Sequence, residues 1–111
     1  MENLCEIWTT GKSVQYFDPN EPIEGVVPGF PDDLDIAKDG SVYWSDLMAP
    51  RPTEVGIGLM TDTSGRLIKY DAKTKTNSVL ISGLSIANGV QLSSKEDFVL
   101  VNESNKGRTL R

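Results

Sequence analysis

Apolar and polar residues alternate with a period of two along most of this chain, and no segment shows the period of about 3.6 residues that a helix requires. Residues 5–10 alternate weakly. After a Thr10-Gly11-Lys12 turn, residues 13–17 form a short strand that Asp18-Pro19-Asn20 stops. Residues 21–29 carry two prolines and two glycines and are a connecting loop. Leu34, Ile36, Val42 and Trp44 then keep the period of two across a Lys38-Asp39-Gly40 turn, and Asp-Gly is a strong hairpin signal. Residues 47–64 break the pattern, with an Ala49-Pro50-Arg51-Pro52 cluster followed by a glycine-interrupted apolar run. Strands resume at 65–71 and 78–81, a second hairpin follows at 90–92 and 98–101, and 107–111 echoes the Gly-Arg opening of 65–69.

The stretch from 30 to 46, FPDDLDIAKDGSVYWSD, recurs in pattern. At an offset of 56 residues and without a gap, Asp32 falls on Asn88, Leu34 on Val90, Ile36 on Leu92, Val42 on Phe98 and Trp44 on Leu100. Four short antiparallel strands in a repeat of about 50 residues is the pattern of a β-propeller blade. The expectation is an all-β chain forming about two blades of such a ring. Residues 1–29 would end one blade and supply a connecting loop, 30–83 would form a complete blade, and 84–111 would begin the next. The chain would then be cut within a blade at both ends. A self-contained sandwich of nine strands is the alternative. Because a blade buries its faces against its neighbours, the chain alone is expected to expose apolar faces and strand edges and to be marginally stable or prone to aggregate.

Composition narrows the chemistry. With 38% apolar and 24% charged residues the chain is an ordinary globular sequence rather than a disordered one. Sixteen acidic against eleven basic residues give a net charge of −5 without a block of either sign, which argues against a nucleic-acid partner. Histidine is absent, so no His-based triad, zinc site or imidazole base can be built from this chain alone. Cys5 is the single cysteine, either a free thiol or half of a pair whose partner lies elsewhere. No run approaches the roughly 18 apolar residues of a membrane span, and residues 1–10 carry neither the basic leader nor the apolar run of a signal peptide.

In a propeller the innermost strand of each blade lines the central channel. Asp32, Asp33 and Asn88 stand where those strands begin, so side chains from adjacent blades would converge on the axis. Carboxylate and amide oxygens without sulfur or nitrogen donors suit a hard cation, calcium above all, which takes about six to eight oxygens. These residues are too few, and other blades would supply the rest. The same side chains also suit ordinary strand-opening turns, since Asp favours local backbone bonding and Asn88-Gly89 is a common turn dipeptide. Asn102-Glu103-Ser104 fits the glycosylation pattern, but it ends a strand near the channel, and a chance match is the preferred reading.

FPDDLDIAKDGSVYWSD, SGRLIKYDAKT, LSIANGVQLSSKEDFVLVNES and GRTLR resemble, in order and spacing, successive motifs of the strictosidine synthase-like family, in particular of its animal members. Those motifs are F-x-N-D-L-D, D-G-x-x-Y-x-T/S-D, T-G-R-L-x-K-Y-D, x-P-N-G-V and E-T-x-x-x-R-I-x-R. The resemblance covers residues 11–111 and implies a six-bladed propeller, related in architecture to paraoxonases and gluconolactonase-like proteins, with calcium at the top of the channel in the hydrolytic relatives. It implies that Asn88 and Asp32 take the positions of two calcium-ligating asparagines and that Asp33 matches the aspartate beside the second. Asp32 in place of Asn keeps an oxygen donor and adds a charge, and Ala87 in place of Pro loosens the loop. Glu103 matches a family glutamate and is read as structural.

The parent implied by this resemblance is a calcium-dependent, arylesterase-like hydrolase of small esters or lactones. A non-catalytic binding propeller at the cell surface or in secretions is one alternative, and condensation of an amine with an aldehyde is another. The histidines of the hydrolases lie upstream of this region and the glutamate of strictosidine synthase downstream, so no catalytic acid, base or nucleophile is assigned to this chain and it is expected to be inactive by itself. The resemblance further implies the secretory pathway or a membrane anchor with the propeller outside the cell, the missing blades as the partner needed for closure, and substrate selection as a role for the 47–64 excursion, for which a surface loop is the alternative.

Overall fold

The computed structural model describes residues 6–9, 12–47 and 63–111, and within them the chain is all-β. Strands β1 (Glu6–Thr9) and β2 (Lys12–Gln15) form an antiparallel pair. Strands β3 (Pro31–Ile36), β4 (Val42–Asp46), β5 (Gly65–Asp71) and β6 (Thr76–Leu84) form an antiparallel sheet in sequence order. Strands β7 (Ala87–Leu92), β8 (Val99–Glu103) and β9 (Arg108–Leu110) form a three-stranded antiparallel sheet, also in sequence order. One turn of 3-10 helix, Ser104–Lys106, links β8 to β9. Cys5 and residues 48–62, which include most of the 47–64 excursion, lie outside the described residues.

Period two decides the layering. In β4, Val42 and Trp44 point to one side and Tyr43 to the other; in β5, Ile68 and Tyr70 oppose Leu67. The first side packs on Tyr16, Phe17 and Ile23, which precede the sheet in the chain. The second packs on Ala87, Val90 and Val101 of the three-stranded sheet. The four-stranded sheet is thus covered on both faces, which is why its middle strands β4 and β5 are nearly continuously buried. Among the described residues Trp44 is the largest fully buried side chain. Phe17 stacks on it at 4.6 Å between ring centroids, Tyr16 meets it edge-on at 5.5 Å, and its indole N–H donates to Asn77 Oδ1 at 2.9 Å. Asn77 in turn donates from Nδ2 to the Tyr16 carbonyl at 2.6 Å, so the buried polar groups here are matched.

Gly65 opens β5 at a point where three backbones meet. A Cβ there would lie 2.7 Å from the Leu84 carbonyl oxygen, 2.9 Å from that of Leu47 and 3.0 Å from the Ala87 nitrogen. Only glycine fits this junction between the two sheets.

The repeat is present, but not gapless. Leu34 pairs with Trp44 and Ile36 with Val42 in the first hairpin; Val90 pairs with Val101 and Leu92 with Val99 in the second. Trp44 therefore corresponds to Val101 rather than Leu100, and Val42 to Val99 rather than Phe98. The second turn holds one residue more, six between Leu92 and Val99 against five between Ile36 and Val42. Ser93 closes the longer turn: its Oγ donates to Asp97 Oδ1 at 2.7 Å and accepts the Asp97 N–H at 3.1 Å.

Candidate functional site

Both first strands carry a register irregularity at the same place, between Pro31 and Leu34 in β3 and between Ala87 and Val90 in β7. A bulge frees two residues from the regular ladder and re-aims their side chains. The residues it frees are Asp32 and Asp33 in one strand and Asn88 and Gly89 in the other. All three sequence-derived candidates therefore sit in bulges, at the second or third position of a sheet-opening strand.

β3 and β7 run side by side in the same direction. The Val90 N–H donates to Asp33 Oδ2 at 2.9 Å, and the Leu92 N–H donates to Asp35 Oδ2 at 2.8 Å. Between the hairpin turns, the Lys38 N–H donates to the Glu96 carboxylate at 3.0 and 3.2 Å. Carboxylates rather than backbone carbonyls thus join the two sheets along this seam, and such charge-assisted bonds are stronger than neutral ones. The Asp33 backbone N–H is itself held by Ser45 Oγ at 3.2 Å.

The three candidates do not share one cavity. Asp33 lines an open cavity of about 260 Å³ with Gly89, Val90, Asn102 and Thr109. Asp32 is exposed and faces a different groove, about 430 Å³, walled by Tyr16, Phe17, Pro19 and Pro28. Asn88 is half-buried in its bulge. A Cβ on Gly89 would stand 2.9 Å from Asn102 Nδ2 and 4.0 Å from Asp33 Oδ2, so glycine keeps this corner open. Asn102 Oδ1 accepts the Thr109 hydroxyl at 2.7 Å, which holds the first residue of the glycosylation pattern against the neighbouring strand. Among the described residues, no group of three or more His, Cys, Asp or Glu side chains is arranged to hold a metal ion.

Among the described residues two further carboxylates, Asp46 and Glu103, are buried, and both are spent on structure. Asp46 accepts the Phe30 N–H at 2.8 Å, the Gly29 N–H at 3.1 Å and Arg66 Nη2 at 2.8 Å. Arg66 also donates from Nη1 to the Ile23 carbonyl at 2.8 Å, while its Nε is buried without a partner. In the second hairpin Glu103 accepts the Ser85 N–H at 2.7 Å and Arg108 Nε at 2.6 Å, with Lys106 Nζ 3.7 Å away. The Ser85 N–H holds the Glu103 carboxyl below its ordinary range; burial opposes this, and Arg108 and then Lys106 reinforce it. Asp46 pairs across the ladder with Arg66, and Glu103 with Arg108, so each sheet has an acid–arginine clamp that ties the incoming chain to its second and third strands. Glu103 is structural, as its sequence position implied. Its counterpart Asp46 escaped notice because the gapless offset set Asp46 against Asn102.

Residues 32–111 match the strictosidine synthase family. The chain belongs to the strictosidine synthase-like family. It is 37% identical to mouse adipocyte plasma membrane-associated protein over 99% of its own length and 28% of that relative. It is 39% identical to the human protein of the same name, covering 81% of the chain and 22% of the relative. STRICTOSIDINE SYNTHASE-LIKE 13 of Arabidopsis thaliana is 35% identical over 80% of the chain and 23% of the relative. This family member therefore spans about a quarter of the length of the curated relatives it matches. What the sequence did not disclose is Asp35, whose bond to Leu92 has no local signature beyond its spacing of two from Asp33.

Proposed function

We propose that the chain is part of a strictosidine synthase-like β-propeller, with the four-stranded sheet as one blade and β7–β9 as the inner strands of the next, and that the whole protein is a calcium-dependent hydrolase of small esters or lactones. The observation that carries this reading is the parallel, side-by-side course of β3 and β7, with oxygen-bearing side chains in the bulge at the same end of each. Inner strands of successive blades have that relation around a central channel. The oxygen donors of Asp32, Asp33 and Asn88 are of the kind a hard cation takes, but Asp32 and Asp33 open into separate cavities, so a complete site would need ligands from further blades. Asp33 would hold the cation with a carboxylate whose Oδ2 also accepts the Val90 N–H.

When bound, calcium supplies polarisation of an ester carbonyl and charge stabilisation at its oxygen. This chain contributes the aim of the ligands: the Val90 N–H fixes the Asp33 carboxylate and Ser45 fixes the backbone behind it. It contributes no histidine, and the two buried carboxylates among the described residues, Asp46 and Glu103, are committed to backbone N–H groups and arginines. The test is hydrolysis of phenyl acetate and a γ-lactone by the full-length protein, expected to vanish with chelator and return with calcium. Asn88→Ala should weaken calcium binding there by about 10–100-fold or more. The 111-residue chain alone should show no turnover and only weak calcium uptake by calorimetry. Chelator-resistant hydrolysis overturns the metal assignment; turnover by the short chain, lost on chelation, overturns the view that the site needs further blades.

The name of the mouse and human relatives, adipocyte plasma membrane-associated protein, favours membrane association of the whole protein, and a propeller that binds there without catalysis is the second reading. A full-length protein that takes up calcium yet turns over neither substrate class would select it.

A further inference from the structure

We propose that Asp33 and Asp35 are positioning residues that lock β3 and β7 in a single parallel register and so fix the bulge at Asp32–Asp33 against the bulge at Asn88–Gly89. The inference rests on the reading of those bulges as the donor-bearing end of the channel, but its decisive measurement needs no metal.

The repeat itself supplies the control. Features that serve the sheet as such occur in both hairpins: the bulge in the first strand, and the acid–arginine clamp, Asp46–Arg66 in one and Glu103–Arg108 in the other. The struts from Asp33 and Asp35 occur once. At the corresponding positions of β7, 56 residues on, stand Gly89 and Gln91, and neither carries a carboxylate. This pair of acids therefore belongs to the β3–β7 seam and is not a general device of the repeat.

Two struts do what one cannot. A single bond from Asp33 to the Val90 N–H leaves β7 free to pivot; a second, two residues further on and about 7 Å along the strand, fixes its direction. Residues two apart point to the same side of a strand, and so do alternate N–H groups, which is why Asp33 and Asp35 meet Val90 and Leu92 while Gln91 points away. A slip of one residue would turn both N–H groups from both carboxylates. Glu96, on the Lys38 N–H, holds the far ends of the two hairpins together. Asp35 is also held from its own side, its Oδ1 accepting the Ile36 N–H at 2.9 Å.

The experiment is nuclear magnetic resonance on the 111-residue chain, comparing wild type, Asp35→Ala and Asp35→Asn. Asp35→Ala should speed amide exchange at Leu92 by about tenfold or more and weaken the cross-strand Overhauser contacts between residues 32–35 and 88–92. Contacts within β3–β4 and within β7–β8 should persist. Asp35→Asn, which keeps an acceptor oxygen, should restore most of the protection. Unchanged seam contacts in Asp35→Ala, or a uniform loss throughout both sheets that Asn does not rescue, would overturn the proposal. Calcium addition is a separate arm. Absence of calcium uptake by the full-length protein rejects the metal reading, while the seam contacts in the 111-residue chain still decide the strut.

Discussion

Arg66 is the residue whose environment leaves least room for change. Its guanidinium is buried, Nη1 and Nη2 are matched by the Ile23 carbonyl and Asp46, and Nε has no partner. Removing the carboxylate strands a buried cation, so Asp46→Ala is expected to cost about 3–5 kcal/mol in a urea unfolding series. The equivalent Glu103→Ala should cost clearly less, because the side chains of Arg108 and Lys106 are about half exposed, 53% and 48%, and can return to water. Glu103 also dictates a pH dependence. Its folded pKa lies below the unfolded value, chiefly through the Ser85 N–H, so near-neutral solution contains the full stabilisation. As pH falls below the ordinary glutamate value of about 4.3, the unfolded chain takes up the proton first and the stabilisation is lost through the folded pKa. Asp39 and Asp71 act with the same sign, held low by N–H groups of their own turns, Ser41 for the first and Thr74 then Lys73 for the second. Thermal melts should therefore fall steeply on acidification below about pH 4.3, and Glu103→Gln should flatten that fall. An equally steep fall in Glu103→Gln would remove Glu103 from the account.

Among the elements, β5 is the one whose position depends on the smallest side chain. Gly65→Ala would place a methyl within 3.0 Å of three backbone atoms, from Leu84, Leu47 and Ala87, none of which can swing aside as a side chain could. A loss of about 1–3 kcal/mol is expected, readable as a lower urea midpoint at unchanged slope. How far the elements were legible follows from how each strand is buried. β3 and β4 read clearly because Leu34, Ile36, Val42 and Trp44 alternate with polar residues around an Asp-Gly turn. β8 was located but misaligned by one residue. Phe98, Val99, Leu100 and Val101 are all apolar, so either alternation satisfies a period of two, and nothing local reveals the sixth residue of the preceding turn. Asp32, Asp33 and Asn88 were legible as oxygen-bearing residues at the openings of corresponding strands, and those positions fall in the two bulges. Their partners were not: Asp33 and Asp35 reach Val90 and Leu92 across 57 residues of chain, a separation at which pattern along the sequence carries no contact information. The division of Asp32 and Asp33 between two cavities is what alternation dictates for neighbours in a strand, and the reading that let both converge on one channel overlooked it.

At the scale of the whole molecule, the stacking of sheets leaves outer strands that no described strand covers. β6 is the longest, nine residues from Thr76 to Leu84, and it contains no charged residue and no proline. Natural edge strands are normally blunted by such residues, since an unpaired row of N–H and C=O groups recruits other chains. β6 has one partial safeguard, the Glu24 carboxylate, which accepts the Val79 N–H at 2.7 Å. Leu80 beside it is 45% exposed, and Val26 and Phe30 add further exposed apolar surface. The 111-residue chain should therefore self-associate as concentration rises, and sedimentation velocity should show the weight-average mass climbing above 12.2 kDa across the micromolar range. Leu80→Lys puts a charge on the exposed face of the strand without touching either core cluster, neither of which contains Leu80. It should hold the chain near its monomer mass, whereas Glu24→Ala, by uncovering the Val79 N–H, should shift association to lower concentration. If both variants sediment like wild type, the edge of β6 is not the associating surface, and the exposed Phe30 at the opening of β3 becomes the place to look.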